Sequence, residues 1–450
     1  MIAIINKKSP LDAWIASKID ICGNTLTREQ IGDYQLRKLR ETIQIAYNSS
    51  PFYRKWMKDN GDVPIVTLDD IRRFPFTTDE DIRQQGLQFL CVSQNEIKRV
   101  VTLDSSGTTG HPKSIYFTPA DQELTIDFFH HGMSTLVSPR DRVLILLPCE
   151  RIGSVGHLLS TALGRLGAHP IGHGIVRNLD ETVGLIMREG VDSLVGIPVQ
   201  VLALARYAKH VTGKGLRLKS ALLSTDHVPR AIVRTLEGLW GCDVFEHYGM
   251  TEMGLGGGVD CAAHTGYHMR EADLYFEIID PATGDVLQEG AEGEVVVTTL
   301  TRQGMPLIRY RTGDISRFIP GHCPCGSILR RMERVVSRRK GLIAVRGGES
   351  LTLAELDEVL LANEQVIDFM AAVDRMHGAT RLIINASIIG KEKTSLRDTL
   401  HEALDTVPAV GRSRRNNGLT VSVTVTSKDD SIAPKAAKRT IVELYDAQGA

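Results

Sequence analysis

The sequence predicts an α/β protein whose sheets are covered by helices. Segments of strand and helix length alternate between residues 114 and 252, and Arg142–Pro148 is an almost unbroken apolar run. Such a run is typical of a strand buried on both faces, and the alternation favours parallel sheets. The expected fold has a large N-terminal domain with helix-covered sheets and a β-subdomain, followed by a small α+β C-terminal domain.

Composition and charge restrict the class of protein. The chain has 450 residues, 42% of them hydrophobic and 24% charged, which is typical of a soluble globular protein with two or three domains. The net charge of −1 gives no reason to expect a nucleic-acid or membrane partner. No apolar run reaches the ~20 residues that span a bilayer. The seven cysteines do not form the pattern of a disulfide framework, so we expect a cytoplasmic protein.

Helices are expected in the first 60 residues. Leu36, Leu39, Ile43 and Ala46 recur at helical spacing, and Ser50-Pro51 ends the run. This periodicity indicates a helix that packs its apolar face on a core.

A loop rich in glycine and hydroxyl groups follows. It reads Asp104-Ser105-Ser106-Gly107-Thr108-Thr109-Gly110-His111-Pro112-Lys113-Ser114. Glycines let backbone N–H groups converge, and hydroxyls and a lysine add donors, so this composition suits a polyphosphate. Pro112 stands where a Walker A loop requires glycine. We therefore expect a mobile loop between two strands rather than one that leads into a helix, with an ordinary polar turn as the alternative.

The segments after the loop define the predicted sheets. Ser114–Thr118 is extended, and a helix follows from Pro119 to about Leu136. The next strands are expected at 142–148, 168–171, 193–197 and 220–224, and the helices at 158–166, 182–189 and 198–208. Ser224-Thr225-Asp226 ends a strand, which is where open α/β sheets bind ligands.

The last third of the chain is predicted to hold shorter β elements. Leu274–Ile279 and Gly293–Leu300 alternate polar and apolar residues around a turn, which indicates a β-subdomain at about 259–335. In the C-terminal domain, Leu353–Leu361 is expected to be helical, and Leu382–Ala386 and Leu419–Val425 to be strands.

Three motifs resemble those of the adenylate-forming (acyl-CoA synthetase) superfamily. The stretch Ser105–Lys113 is similar to its phosphate loop, Tyr248-Gly249-Met250-Thr251-Glu252 to its Y-G-x-T-E motif, and Tyr310-Arg311-Thr312-Gly313-Asp314 to its Y-R-T-G-D motif. They occur in the family's order and at about its spacing. Ser50–Arg54 and Phe74–Thr78 resemble the phenylacetate–CoA ligase family in particular.

The resemblance implies a set of nucleotide-binding residues. Tyr248 would stack on adenine, Asp314 would accept hydrogen bonds from the ribose hydroxyls, and Arg338 would contact ribose or phosphate. The full implied set is Ser105, Ser106, Gly107, Thr108, Thr109, Gly110, Lys113, Ser224, Thr225, Asp226, Tyr248, Gly249, Met250, Asp314, Arg338 and Lys340.

Four positions depart from the family's pattern. Ser224–Asp226 reads S-T-D where the family has a glycine/acidic loop beside adenine, and Ser337 and Pro434 replace glycines. Asp79 stands where the family usually has a lysine, and we expect it to be a surface cap of little consequence.

The implied catalytic residues are Glu252 and Thr251 of the Y-G-x-T-E motif and Lys435. Glu252 is expected to bind Mg²⁺, because Mg²⁺ takes one or two carboxylates together with substrate phosphates. Lys435 would bridge the substrate carboxylate and the α-phosphate, with Lys438 as the alternative. The implied domains are 1–339 and a mobile lid at 341–450, which turns about a hinge at Lys340.

A zinc site is a further candidate. Cys261, His268, Cys323 and Cys325 are arranged as C-x6-H, then 54 residues, then C-x-C. Three thiolates and one imidazole make a closed tetrahedral structural zinc site. The spacing is not that of a zinc finger, so inert buried cysteines remain the alternative, and His264 or His322 could substitute for one ligand. Some phenylacetate–CoA ligase relatives carry a similar pattern with zinc.

The resemblance implies an ATP-dependent carboxylic acid–CoA ligase that acts through an acyl-adenylate, on an aryl or arylacetic acid such as phenylacetate. The expected small molecules are ATP, Mg²⁺, coenzyme A and the acid, and the resemblance allows a homodimer. One alternative is an adenylating enzyme with a non-CoA acceptor. The other is a nucleotide-binding protein without turnover, which the retention of Lys113, Glu252, Asp314, Arg338 and Lys435 argues against.

Overall fold

The computed structural model describes most of the chain as two units. The described residues are 8–21, 26–60, 64–103, 112–335, 337–338, 341–345, 349–375, 380–427, 432–435 and 439–444. The first unit comprises Met1–Pro139, Glu150–Gly167 and His247–Val335. The second comprises Arg140–Cys149, Ala168–Glu246 and Val336–Ala450.

The first unit begins with helices, as predicted. A capping box between Thr27 and Gln30 starts the second helix, and Pro51 begins the third directly after Ser50. Proline is favoured there because its missing N–H has no partner at a helix start anyway. The helices of this unit are Pro10–Lys18, Arg28–Ser49, Pro51–Asn60, Asp79–Gln85, Pro119–Met133 and Val155–Leu166, with 3₁₀ turns at Leu68–Arg73, Gly86–Phe89, Gln94–Glu96 and Thr251–Met253.

The strands flanking the glycine-rich loop form an antiparallel pair. Arg99–Leu103 pairs with Lys113–Phe117, and Leu103 lies opposite Lys113. The stretch from 104 to 111 therefore connects two strands, which confirms that it does not lead into a helix.

The remaining strands of the first unit build a β-subdomain. Leu274–Ile279 and Gly293–Thr299 pair antiparallel, which confirms the predicted hairpin, and Tyr310–Ser316 pairs with the second of them. Short antiparallel strands lie at Gly258–Val259, Tyr267–Met269, Phe318–Ile319 and Arg331–Met332. Their apolar faces pack in one core that includes Met269, Val297 and Tyr310.

A parallel sheet forms the centre of the second unit. Its strands lie in the order Asp243–Tyr248, Ser220–Leu223, Ser193–Gly196, Arg142–Leu146 and His169–Gly172. The helices Leu179–Glu189, Pro198–Thr212 and Arg230–Trp240 connect them. Gly213 ends the second of these helices with a φ of +68°, a left-handed conformation that glycine adopts without a steric penalty.

The C-terminal part of the second unit has a mixed four-stranded sheet. Its order is Thr420–Ser427, Arg381–Ile388, Val366–Asp374 and Ile441–Leu444. Shorter strands lie at Ser337–Arg338, Ile343–Val345 and Glu349–Leu351, and helices at Leu353–Leu360, Leu396–Asp405 and Pro408–Arg415. The sequence had indicated only one helix and two strands here.

The α/β class is confirmed, and so is each strand and helix predicted between 114 and 224, with ends shifted by a few residues. Within the described ranges, no helix is both long and apolar enough to cross a membrane.

Candidate nucleotide site and cysteine cluster

The lysine at the end of the glycine-rich loop lies in a buried cluster of polar side chains. Lys113 is the first residue of strand Lys113–Phe117, and only 7% of its side chain is exposed. Its ammonium donates to the carboxylates of Asp79 and Glu252, and its Nζ lies 3.2 Å from the hydroxyl of Tyr310. We call Lys113, Asp79, Glu252 and Tyr310 the lysine cluster.

Asp79 is part of this cluster, and the expectation that it is a surface cap of little consequence is wrong. It is the first residue of helix Asp79–Gln85, and its side chain is 37% exposed. The Tyr310 hydroxyl donates to its Oδ1 at 2.7 Å, and Arg83 lies 3.2 Å from its Oδ2. Burial would raise the pKa of Asp79, but the hydrogen bonds from Lys113 and Tyr310 outweigh it and lower that pKa to about 2.

Glu252 and Tyr310 come from two separate motifs. Glu252 lies in the 3₁₀ turn Thr251–Met253, and its Oε1 is 3.2 Å from the Tyr310 hydroxyl. Burial and the two carboxylates raise the pKa of Tyr310 well above its usual value, so the phenol stays protonated and can donate. Two motifs 58 residues apart therefore meet at one lysine.

A buried arginine fixes the backbone of the Glu252 turn. Arg302 donates to the carbonyl oxygen of Glu252 at 2.7 Å and to that of Tyr116 at 3.0 Å. Its guanidinium lies 4.4 Å from the centre of the Phe117 ring. Arg302 thus ties the Thr251–Met253 turn to the strand that begins at Lys113.

The predicted adenine and ribose residues also lie together. The Tyr248 hydroxyl donates to Asp314 Oδ2 at 3.0 Å, and the rings of Tyr248 and Tyr267 stack with centroids 5.8 Å apart. Asp314 is only 1% exposed. A side chain at Gly249 would collide with the carbonyl oxygen of Leu255, so the turn between Tyr248 and Met250 requires glycine there.

The second unit contains the predicted site residues Ser224, Thr225, Asp226 and Lys435. Ser224 follows strand Ser220–Leu223, and its N–H donates to Gly196 at 3.1 Å. Thr225 has a φ of +80°, a left-handed conformation that is uncommon for a β-branched residue and that glycine adopts without a steric penalty. Asp226 accepts a hydrogen bond from the N–H of His227. Lys435 is exposed, and Gln200 holds the carbonyl oxygen of its neighbour Pro434 at 2.8 Å.

Several predicted residues lie outside the described ranges. These are Ser105, Ser106, Gly107, Thr108, Thr109, Gly110, Lys340 and Lys438, together with the side chain of Arg338.

The predicted zinc ligands meet in one buried cluster. Cys261, His268, Cys323 and Cys325 place their ligand atoms within 4.8 Å of one another, and each residue is at most 5% exposed. The sulfurs of Cys261 and Cys323 are 3.7 Å apart, and His268 Nε2 is 3.5 Å from Cys325 Sγ. We call this group the cysteine cluster.

The two substitute ligands considered from the sequence are not part of the cysteine cluster. His264 directs its Nδ1 to Asp260 at 2.8 Å, and His322 is exposed. The donor set that the fold assembles is therefore three thiols and one imidazole.

The sequence did not single out Asp79, Tyr310 or Arg302 as site residues. Tyr310 opens a recognised motif, so its position was a usable signal. The sequence gives no such signal for Arg302, because an arginine that bonds to backbone carbonyl oxygens does not belong to a sequence motif.

The structure thus combines an α/β fold with a lysine and a carboxylate that meet at the end of a glycine-rich loop. The family model for AMP-binding enzymes matches residues 93–301. Phenylacetate–CoA ligase from Aromatoleum evansii is 28% identical over 84% of this chain and 86% of that ligase. The phenylacetate–CoA ligase from Thermus thermophilus is 29% identical over 79% of this chain and 80% of the other.

Solved structures share the fold. A 2-hydroxyisobutyryl-CoA ligase in the postadenylation state aligns with a TM-score of 0.78 at 21% identity, covering 94% of this chain and 91% of that one. The chain is therefore similar to AMP-binding enzymes over residues 93–301, and to phenylacetate–CoA ligases over most of its length.

Proposed function

We propose that the chain is an ATP-dependent carboxylic acid–CoA ligase that acts through an acyl-adenylate on an aryl or arylacetic acid such as phenylacetate. The observation that carries this proposal is the convergence of Lys113 and Glu252 at the end of the glycine-rich loop. The similarity of this chain to phenylacetate–CoA ligases over most of its length supports an aryl or arylacetic acid as the substrate and coenzyme A as the acceptor.

In the first half-reaction, an oxygen of the acid attacks the α-phosphorus of ATP, and the bond to the β-phosphate oxygen breaks. Pyrophosphate leaves with that bond's electron pair, and an acyl-adenylate forms. Negative charge moves onto the leaving phosphates, so fixed cations placed there stabilise the transition state. Lys113 supplies such a cation from a buried position.

Glu252 fits the role of magnesium ligand, since it is a buried carboxylate directly beside the lysine of the phosphate loop. Bound Mg²⁺ would supply charge neutralisation at the phosphate oxygens. Arg302 keeps the Glu252 turn in place, and Thr251 opens that turn.

In the second half-reaction, the coenzyme A thiol loses its proton and its sulfur attacks the acyl carbon, and AMP leaves. We assign Lys435 to the carboxylate and α-phosphate in the first step, and residue 340 to the hinge between domains at 1–339 and 341–450. Lys435→Ala should then lower adenylation strongly, and Lys438→Ala should not. The opposite result would make Lys438 the catalytic lysine.

The surroundings of the Tyr248 turn suit an uncharged aromatic acyl group. His247 lies 6.1 Å from Phe128 and 6.0 Å from Phe129 between ring centres. Burial, and then the charge of Arg270, lower the pKa of His247 to about 4, so the imidazole is neutral at pH 7. We therefore assign these rings to an aryl or arylacetic side chain, with the Arg270 guanidinium 5.0 Å from the centre of the Phe128 ring as the charge beside them.

Pyrophosphate release tests this function. We expect release from ATP and Mg²⁺ with aryl or arylacetic acids, and thioester only when coenzyme A is added. Release without any use of coenzyme A would assign another acceptor. ATP binding without release, across aryl, arylacetic and short aliphatic acids, would contradict the proposal and favour a non-catalytic protein.

We also propose that the cysteine cluster holds a structural zinc ion. A tetrahedral zinc with Zn–S bonds of about 2.3 Å separates its sulfur ligands by about 3.8 Å. The Cys261 and Cys323 sulfurs are 3.7 Å apart, which is close to this separation. Four protein ligands leave no position for substrate, and the role is therefore structural.

Metal analysis of protein purified without added metal tests the zinc proposal. We expect about one zinc per chain and its release by a chelator only with loss of folded structure. Protein that is folded and free of zinc would contradict it.

A further inference from the structure

We infer that Asp79 is a positioning residue that holds the Lys113 ammonium where the triphosphate binds. This inference rests on the proposed function, since it assigns Lys113 to the nucleotide. Asp79 departs from the family's usual residue, so its contact is a property of this chain.

The donors and acceptors of the lysine cluster support this role. An ammonium has three N–H donors, and Lys113 gives one each to Asp79, Glu252 and the Tyr310 hydroxyl. Glu252 is also the carboxylate that we assign to Mg²⁺, so its bond to Lys113 belongs to the nucleotide-free protein. Asp79 is the charged acceptor that can keep the ammonium in place while the N–H group given up by Glu252 turns to a phosphate oxygen.

Asp79 is itself fixed by its neighbours. Thr78 and Asp81 form a capping box that sets the start of helix Asp79–Gln85. Within the cluster, the Tyr310 hydroxyl donates to Asp79 Oδ1 at 2.7 Å, and Arg83 lies 3.2 Å from Oδ2. Both carboxylate oxygens therefore have partners, and the one facing Lys113 has little freedom to turn away.

Simple electrostatics predicts the opposite effect of removing this carboxylate. A negative charge beside a triphosphate repels it, so a neutral residue at position 79 would strengthen ATP binding if charge alone mattered. If Asp79 positions Lys113, the same change weakens ATP binding, because the ammonium loses its charged acceptor. The sign of the effect therefore separates the two accounts.

A double-mutant cycle tests the inference on the full chain. The variants are Asp79→Asn, Lys113→Met and the pair, with Glu80→Gln as the matched control. Glu80 is the next residue of the same helix turn, and its carboxylate accepts a hydrogen bond from Gln84 on the exposed side of that helix. The readouts are the ATP dissociation constant by calorimetry without acid, the KM for ATP, the KM for the acid and the melting temperature.

We expect Asp79→Asn to raise the ATP dissociation constant and the KM for ATP about 10-fold, the scale of one hydrogen bond to a charged group. The KM for the acid should stay at the wild-type value, as should every property of Glu80→Gln. The melting temperature of Asp79→Asn should fall slightly, because the ionised carboxylate stabilises the folded state at neutral pH. In the Lys113→Met background, Asp79→Asn should change ATP binding less than about 2-fold, because the group it acts through is gone.

Two results would overturn the inference. One is equal or tighter ATP binding by Asp79→Asn, and the other is a loss of about 10-fold that persists in the Lys113→Met background. Failure of the proposed function has a different signature: wild-type protein would bind ATP but release no pyrophosphate, and calorimetry would still measure the coupling between the two residues.

Discussion

The first unit contains two buried polar clusters with opposite designs. In the lysine cluster, one ammonium faces two carboxylates and a phenol, and Asp79 keeps 37% of its side chain exposed. In the cysteine cluster, four donors surround one point and each residue is at most 5% exposed. In the proposed function, the lysine cluster exchanges its internal partners for a ligand, and the cysteine cluster would be complete once a single ion is bound.

This difference predicts different roles for the two clusters, catalysis for the lysine cluster and stability for the cysteine cluster. Lys113 and Glu252 are hydrogen-bonded to each other in this structure, and in the proposed function the nucleotide and Mg²⁺ compete for them. In the cysteine cluster the polar contacts are those between the Cys261 and Cys323 sulfurs and between His268 and Cys325, and the proposed metal would bind all four groups and favour their burial. Changes in the lysine cluster should therefore alter turnover, and changes in the cysteine cluster should alter folding.

The largest effect is expected from Glu252→Ala. Loss of this carboxylate removes the proposed magnesium ligand and should lower pyrophosphate release by about 10²- to 10³-fold, the scale of losing one electrostatic group at a reacting centre. Single-turnover assays with saturating acid measure it. The melting temperature should also fall, because buried Lys113 loses one of its two carboxylate partners, so activity is compared per folded protein. Glu80→Ala is the control that should retain full activity. A fully active Glu252→Ala protein would show that the lysine cluster takes no part in the reaction.

Cys323→Ser should mainly lower the stability of the protein and leave its activity largely unchanged. We expect loss of zinc and a melting temperature lower by about 10 °C, because a loss of several kcal/mol shifts a domain of this size by a few degrees per kcal/mol. The kcat and KM of the folded fraction should stay within about 3-fold of wild type, since the cluster leaves no position for substrate. Cys91→Ser, which changes a half-buried cysteine outside the cluster, is the control. An unchanged melting temperature with a large fall in kcat would reverse the assignment of this cluster.

A smaller effect is expected from Tyr248→Phe. This change removes the 3.0 Å hydrogen bond to Asp314 and keeps the ring that stacks on Tyr267. One neutral-donor bond is worth about 1 kcal/mol, so the KM for ATP should rise about 5-fold. Steady-state assays at varied ATP measure it, and the KM for the acid should not change. A rise in the KM for the acid alone would place Tyr248 beside the acyl group instead.

The smallest effect is expected for the pH dependence of the loss of ATP affinity that Asp79→Asn causes. Asp79 has a lowered pKa of about 2 in the folded protein, and its ordinary value is near 4. The carboxylate is therefore ionised at every pH from 5 to 9, and the ratio of ATP dissociation constants for variant and wild type should be constant over that range. A ratio that falls toward 1 between pH 7 and pH 5 would mean that Asp79 takes up a proton there.

The sequence could predict the parts of each site that are local. Lys113, Glu252 and Asp314 lie in contiguous motifs, and the zinc candidates are rare residue types with ligand chemistry of their own. Asp79 could not be predicted, because it reaches Lys113 from a helix start 34 residues earlier, and its sequence surroundings are those of an ordinary helix cap.

The helices and strands, like the site residues, could be predicted only where the local sequence determines them. The parallel sheet was readable because its strands are continuous apolar runs separated by helices. Helix Pro408–Arg415 was missed because its sequence PAVGRSRR is a poor helix former, with a glycine, a serine and a valine among its eight residues. It is stabilised by burial of Ala409, Val410 and Gly411, a tertiary effect that local sequence does not reveal.

Exchange of labelled pyrophosphate into ATP in the absence of coenzyme A tests the central claim most directly. The account predicts exchange that requires Mg²⁺ and an aryl or arylacetic acid, is abolished in Glu252→Ala, and is followed by AMP and thioester when coenzyme A is added. No exchange with any carboxylic acid, or formation of ADP and phosphate in place of AMP and pyrophosphate, would contradict it.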